Sequence, residues 1–162
     1  MLISQKLTAA VNAEIGLEFF ASHQYIATAA YFDSKGLKLL AKMFNKQAED
    51  EYNHAMKFVN YLSLTNGPVE IPEVKAPKCQ FTSTEEAVQL SLDWELEVTN
   101  RCNELMTIAV NDKDYAAQDF LRWFVTEQLE EVSTMQNLLN IVKQVGERNI
   151  IMVEAYLAHN GG

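Results

Sequence analysis

Six residues of this chain have the types and spacing of a metal centre: Glu18, Glu51, His54, Glu95, Gln128 and Glu131. Glu51 and His54 are three positions apart, so on a helix their carboxylate and imidazole project from one face. Around them apolar residues recur in steps of three and four: Leu37, Leu40 and Phe44 before, Phe58 and Tyr61 after. The same rhythm lands on Gln47, Glu51 and His54, which places the pair on a face expected to be buried. A buried carboxylate needs a partner, a proton or a cation. Glu-x-x-His on a core face is half of the kind of site that helix bundles assemble from facing helices.

The other acids repeat the anomaly. Glu14 and Glu18 interrupt a seam of Val11, Ala21, Tyr25, Thr28 and Phe32, and Glu95 interrupts one of Val88, Leu92, Val98, Cys102, Leu105 and Ala109. Gln128 and Glu131 interrupt Leu121, Phe124, Met135, Leu138, Val142 and Val145. Seams broken at similar depth gather carboxylates at one level, and like charges that close do not all stay ionised unless cations neutralise them. Oxygen donors with a single imidazole and no thiolate suit iron or manganese. The competing account is a hydrogen-bonded structural network.

These positions require long helices. All three prolines lie between Pro68 and Pro77, so the stretch from Asn66 to Lys78 is the one long irregular connection, dividing the chain into two similar halves. Each half carries two helical patterns, and a short one trails, which defines an all-α class. The expected helices span about 4–33, 37–64, 84–110, 115–145 and 147–158, within a single domain over 1–162. Ser4 and Ser83 are N-cap residues, and Ser83-Thr84-Glu85-Glu86 approaches a capping box. The short Lys35-Gly36 stop predicts an antiparallel first hairpin. The long loop can run the length of a helix, about 40 Å, and set the third helix parallel to the second.

Composition narrows the partners. At 162 residues the chain can bury one sizeable core, and its formal net charge of −9 disfavours nucleic acid and anionic membranes while suiting cations. No uninterrupted apolar run approaches the roughly 18 residues a membrane span needs, and the first residues lack a secretory h-region. Cys79 in the loop and Cys102 on a seam read as reduced thiols. A cytoplasmic location is expected, or an organelle in a eukaryotic host.

Four motifs, in order, resemble the non-haem ferritins, most closely the bacterial type: Leu17-Glu18-Phe19-Phe20 with Tyr25, then Glu51-Tyr52-Asn53-His54, then Glu95, then the run from Phe120 through Glu127-Gln128-Leu129-Glu130-Glu131. The resemblance runs from about Leu7 to the end of the chain. It implies a ferritin-like four-helix bundle with a long crossover loop and a short fifth helix. It also implies that Glu18, Glu51 and His54 bind a first iron, that Glu51 bridges to a second, and that Glu95 and Glu131 complete the second site beside Gln128. Tyr25 matches the family's tyrosine near the di-iron centre and, with Glu51 and His54, is assigned a catalytic part. A core tyrosine bonded to a carboxylate is compatible with that. Asp50, Glu127 and Glu130 would form a third iron site, although the family more often has glutamate where this chain has Asp50.

The implied activity is oxidation of Fe²⁺ by dioxygen and storage of the Fe³⁺ mineral inside a homo-oligomeric, 24-subunit shell whose last helices line four-fold channels. In that setting the face of Ile150, Val153 and Leu157 reads as a surface needing partner helices. Departures from relatives matter. Helix four offers Gln128-x-x-Glu131 where bacterioferritins repeat Glu-x-x-His, and Tyr52 follows Glu51 where they carry a haem-binding methionine. Haem is therefore not expected, and the second iron, lacking an imidazole, should be held less firmly. His23 and His159 are expected at the surface. A rubrerythrin-like oxidase or peroxidase is the chief rival, though the chain has none of the rubredoxin-type cysteine pairs.

Overall fold

The computed structural model describes residues 2–160, in which α1 (Gln5–Ser34), α2 (Lys38–Leu64), α3 (Thr84–Asn111) and α4 (Tyr115–Val145) are followed by a 3₁₀ turn (Glu147–Asn149) and α5 (Ile151–Asn160). Local chemistry sets the starts. The Ser4 hydroxyl accepts from the Leu7 amide at 3.1 Å, Ser83 from Glu86 at 3.0 Å and Asp114 from Ala117 at 2.9 Å. These bonds satisfy amides that a helix N-terminus otherwise leaves unpaired. Glu86 reaches back to the Thr82 amide, so this cap reciprocates one residue earlier than the Ser83-based box predicts. Gly36 and Gly146 end α1 and α4 at positive φ, 77° and 75°, where a side chain would be strained.

α1 and α2 form one antiparallel hairpin and α3 and α4 the other, with each partner packed mainly on its own hairpin mate. The loop decides how the hairpins meet. It leaves the end of α2 beside the start of α1, where the Leu2 amide donates to the Thr65 carbonyl at 2.8 Å. It then follows α1, held by two side-chain amides on that helix. Asn12 bonds both the Pro68 carbonyl and the Glu70 amide, and Gln24 bonds the carbonyl and the amide of Lys78. Between these staples Pro72 lies so close to Gly16 that an added Cβ would stand 2.3 Å from its ring. The loop arrives beside Tyr31, whose ring packs on Phe81 at 5.2 Å. α3 therefore begins where α1 ends, as α2 does, and runs parallel to α2.

The core is divided in two along the bundle. One cluster holds Phe32, Leu40, Phe44, Val88 and Leu139; the other holds Leu7, Ile15, Phe58, Leu105 and Phe124. Between them lie the seam positions that carry acids and amides, so the polar residues sit at mid-height with apolar packing at either end.

The last helix departs from expectation in extent and in facing. Glu147–Asn149 winds as a separate 3₁₀ turn because Gly146 breaks the backbone, and the α-helix begins only at Ile151. The face of Ile150, Val153 and Leu157, expected to await a partner, packs on the chain's own core, with Val153 fully buried. Glu154 fixes the docking: its carboxylate accepts from the Leu39 and Leu40 amides at 2.7 and 2.9 Å, capping the start of α2. An acid there also faces the positive end of the helix dipole. Ile151, Met152 and Tyr156 are the apolar residues that α5 leaves exposed.

Candidate metal centre

Each bundle helix delivers acid or amide groups to the mid-height layer. Glu18 comes from α1, Gln47, Glu51 and His54 from α2, Glu95 from α3, and Gln128 and Glu131 from α4; all seven are buried. Glu18, Glu51 and His54 offer ligand atoms that lie within 4.8 Å of one another, and so do Glu51, Glu95 and Glu131. Glu51 belongs to both groups. The His54 Nδ1 stands 3.2 Å from Glu51 Oε2 and 3.8 Å from Glu18 Oε2. The two groups differ, one with an imidazole and one of carboxylates alone.

The hydrogen bonds within the layer leave oxygens free. Tyr25 donates its hydroxyl to Glu95 Oε1. Gln128 donates its amide to Glu95 Oε2 at 3.2 Å and contacts the Glu95 main-chain oxygen at the same distance. Gln47 donates to both Glu51 Oε1 and Glu131 Oε2 at 2.7 Å, tying the two groups together. Among the described residues neither oxygen of Glu18 has a hydrogen-bond partner, although the residue is only 1% exposed. Two orphaned, buried carboxylate oxygens facing a histidine are costly in an apolar medium and suit a cation. A closed hydrogen-bonded network would have satisfied them.

Electrostatics agree. Burial pushes Glu18 well above the usual carboxylate range, and the Glu51 charge adds to this. Burial and the neighbouring carboxylates together raise Glu131 to about 8; burial and Glu51 take Glu95 to about 8 against hydrogen bonds from Tyr25 and Gln128. Glu51 goes the other way: burial alone would raise it, but the bond to His54 and the amide of Gln47 hold it below the ordinary value. His54 is raised, because the bond and charge of Glu51 outweigh its burial. The Tyr25 hydroxyl is held in its protonated form by burial and by the charges of Glu95 and Glu51.

A pH dependence follows. For Glu95 and Glu131 the folded pKa lies above the unfolded one, so their stabilisation is complete below about pH 4.5 and is lost as pH rises through about 8. The metal-free protein should therefore lose stability across that window, and Glu131→Gln should flatten the loss. A divalent cation should reverse the trend, since binding expels those protons. Thermal unfolding with and without Zn²⁺, together with proton release in weak buffer, checks both signs.

Of the third group of acids, Glu127 is the one brought beside the metal layer. Among the described residues, Glu127 comes within 4.8 Å of His54 and Glu131, but neither Asp50 nor Glu130 joins such a group. Asp50 is paired with Lys46, one turn away on α2, and Glu130 is exposed. The short aspartate arm and its lysine partner keep Asp50 at the helix surface. His23 and His159 are exposed, as their positions imply.

Two contributors were not assigned from the sequence. Gln47 lies on the α2 seam one turn before Glu51, and that spacing is the signal that could have marked it. Trp123 packs edge-on to His54 at 5.4 Å with the Lys57 ammonium 3.2 Å above its ring, which covers the imidazole from one side. No sequence spacing marks that contact.

A bundle whose core layer gathers carboxylates from all its helices around one histidine has the architecture in which the ferritin-like class builds its metal sites. Residues 8–145 match the family model described as ferritin-like domain. The chain is 39% identical to the bacterial non-heme ferritin of Staphylococcus aureus (strain USA300) over 146 residues, covering 90% of this chain and 88% of that protein. It is also 39% identical to ferritin BfrB of Mycobacterium tuberculosis (strain CDC 1551 / Oshkosh) over 153 residues, 94% of this chain and 84% of that one. Its fold superposes on the open pore ferritin of Archaeoglobus fulgidus with a TM-score of 0.92 at 32% identity, covering 96% of each chain. This chain belongs to the ferritin family.

Proposed function

We propose that the mid-height layer is a di-iron ferroxidase centre in which Glu18, Glu51 and His54 take one Fe²⁺ and Glu51, Glu95 and Glu131 take the second, with Gln128 beside it. The protein is an iron-oxidising, iron-storing ferritin, as its family membership implies. The observation that carries the site is Glu51, shared between two groups whose ligand atoms are mutually within 4.8 Å. A bridging carboxylate holds two cations close enough for both to give an electron to one dioxygen.

The chain's own residues set the conditions. His54 gives the first position a neutral donor, while the second has oxygens only and should release its cation more readily. Tyr25 and Gln128 fix Glu95 from two sides, and Gln47 fixes Glu51 against Glu131. Protons leaving these carboxyls as iron binds must reach solvent, and Tyr25 keeps its own proton beside Glu95. A largely apolar pocket of about 290 Å³, lined by Phe20, Leu90, Trp94 and Tyr25 among others, meets this layer at Tyr25, which bonds Glu95, and suits a small apolar oxidant such as dioxygen. Glu127, beside His54 and Glu131, is the member of the acid face best placed to draw the product outward, with Asp50 and Glu130 as the further acids of that proposed third site. Haem has no part in this reading.

Storage needs an enclosed cavity, which one bundle cannot form. The shell is taken to be the closed 24-subunit assembly, in the cytoplasm, and the exposed Ile151, Met152 and Tyr156 of α5 supply apolar surface for neighbouring subunits. No described helix is long and apolar enough to cross a membrane. Sedimentation or light scattering should give a particle roughly 24 times the 18.4 kDa subunit mass. A particle near the mass of one subunit would rule out storage and leave a soluble di-iron oxidase.

A further inference from the structure

Outside the di-iron layer, the least satisfied buried acid is Glu14. It sits on α1 one turn before Glu18, only 2% exposed, and its Oε1 has no hydrogen-bond partner among the described residues. Residues four apart on a helix have Cβ atoms about 6 Å apart, a spacing that one cation between two carboxylates can bridge. Among the described residues Glu18, one turn on, has two unpartnered oxygens of its own. Burial raises Glu14 to about 7, opposed by the charge of Arg101 and reinforced by that of Glu51. It therefore lies within the field of the metal layer.

The surroundings suggest a route. Arg101 on α3 is the nearby cation, yet it makes its ion pair with Glu97, Nε to Oε1 at 3.2 Å, and no pair with Glu14 is found within 4.0 Å among the described residues. Glu97 and Glu104 flank Arg101 on α3 and, with Lys6, Asn100 and Asn103, line an open surface groove. α1 and α3 are also packed more loosely on each other than either is on its hairpin mate. A carboxylate that served only as counter-ion to Arg101 would contact it. Glu14 instead feels the charges of Glu97 and Glu104 on the groove side and of Glu51 in the metal layer.

We propose that Glu14 and Glu18 together form an inner way-station for a divalent cation, loaded from the Glu97–Glu104 groove through the α1–α3 seam, with Arg101 as the charge that guards its opening. This rests on the reading of Glu18 as a ligand of the di-iron centre. It gives Fe²⁺ a path within one subunit, separate from any channel between subunits.

The test is an anaerobic Co²⁺ titration of the assembled, metal-free protein by calorimetry, followed by stopped-flow oxidation of small Fe²⁺ additions. Glu14→Gln should weaken one Co²⁺ binding event per subunit by about tenfold or more, the range for loss of a supporting metal contact. It should slow the first Fe²⁺ additions by a similar factor without changing the total oxidised. Arg101→Gln should move both in the opposite direction. Wild-type Co²⁺ binding in Glu14→Gln, with binding lost in Glu51→Ala and His54→Ala, would overturn the way-station and leave the di-iron reading standing. Lowered melting of both Glu14→Gln and Arg101→Gln with unchanged Co²⁺ binding would make Glu14 a structural counter-charge. Wild-type Co²⁺ binding in Glu51→Ala and His54→Ala would defeat the underlying site.

Discussion

Glu51→Ala should abolish the rapid phase of Fe²⁺ oxidation while leaving the particle assembled. Glu51 is the one side chain common to both ligand groups, so its loss opens the two positions at once. It is also the acceptor that orients His54 and Gln47. Loss of a supporting contact around a metal costs 10–100-fold in affinity or activity, so removing the bridging ligand should exceed about 100-fold. His54→Ala should weaken the first position more than the second, because the second group contains no imidazole. Because, against burial, His54 and Gln47 hold Glu51 below the ordinary carboxylate range, its removal leaves both without that partner, and the metal-free variant should unfold somewhat earlier than wild type while staying assembled. Stopped-flow absorbance of Fe³⁺ formation, with particle size as the control, reads both effects. Full rapid oxidation in Glu51→Ala would remove the basis for the assignment.

Phe124→Ala carries the largest expected cost in stability. Its ring is 2% exposed, stacks on Phe58 at 4.2 Å and stands edge-on to His54 at 6.0 Å. It thus belongs both to the apolar packing below the metal layer and to the wall that holds the imidazole. Truncating a buried phenylalanine typically costs about 3–5 kcal/mol, part of it from the cavity left behind. Here the cavity would border His54, so the imidazole should lose its fixed orientation and the first iron position its selectivity over the second. Denaturant unfolding measures the first consequence and Zn²⁺ affinity the second. An effect under about 1 kcal/mol would mean that the neighbouring rings of Phe120 and Trp123 close the gap.

The legible parts of this protein are those written as period. The three-and-four rhythm locates four helices to within a residue or two, and the acids that break it are the ones the fold brings to a single level. Ser4 and Ser83 mark helix starts because the capping chemistry is local. The parallel course of α3 could be stated from loop length alone. What holds that loop could not, since Asn12 and Gln24 look like ordinary polar residues until the chain returns past them. Side-chain reach and long-range contacts account for the rest. Asp50 carries the right charge for a cavity-side ligand, but its nearness to Lys46 and its short arm decide its position. The face of Ile150, Val153 and Leu157 is amphipathic in sequence, which shows that it is covered but not by what. Glu154 capping α2 across more than a hundred residues supplies that answer. Gln47 was visible on the seam, yet its tie between Glu51 and Glu131 exists only once α2 and α4 face each other.

The most direct test of the central claim is aerobic titration of the metal-free assembly with Fe²⁺. The di-iron reading predicts a rapid phase that saturates at about two irons per subunit, followed by slower uptake into the particle. Oxidation with no such break, at the rate of Fe²⁺ in buffer alone, would contradict it.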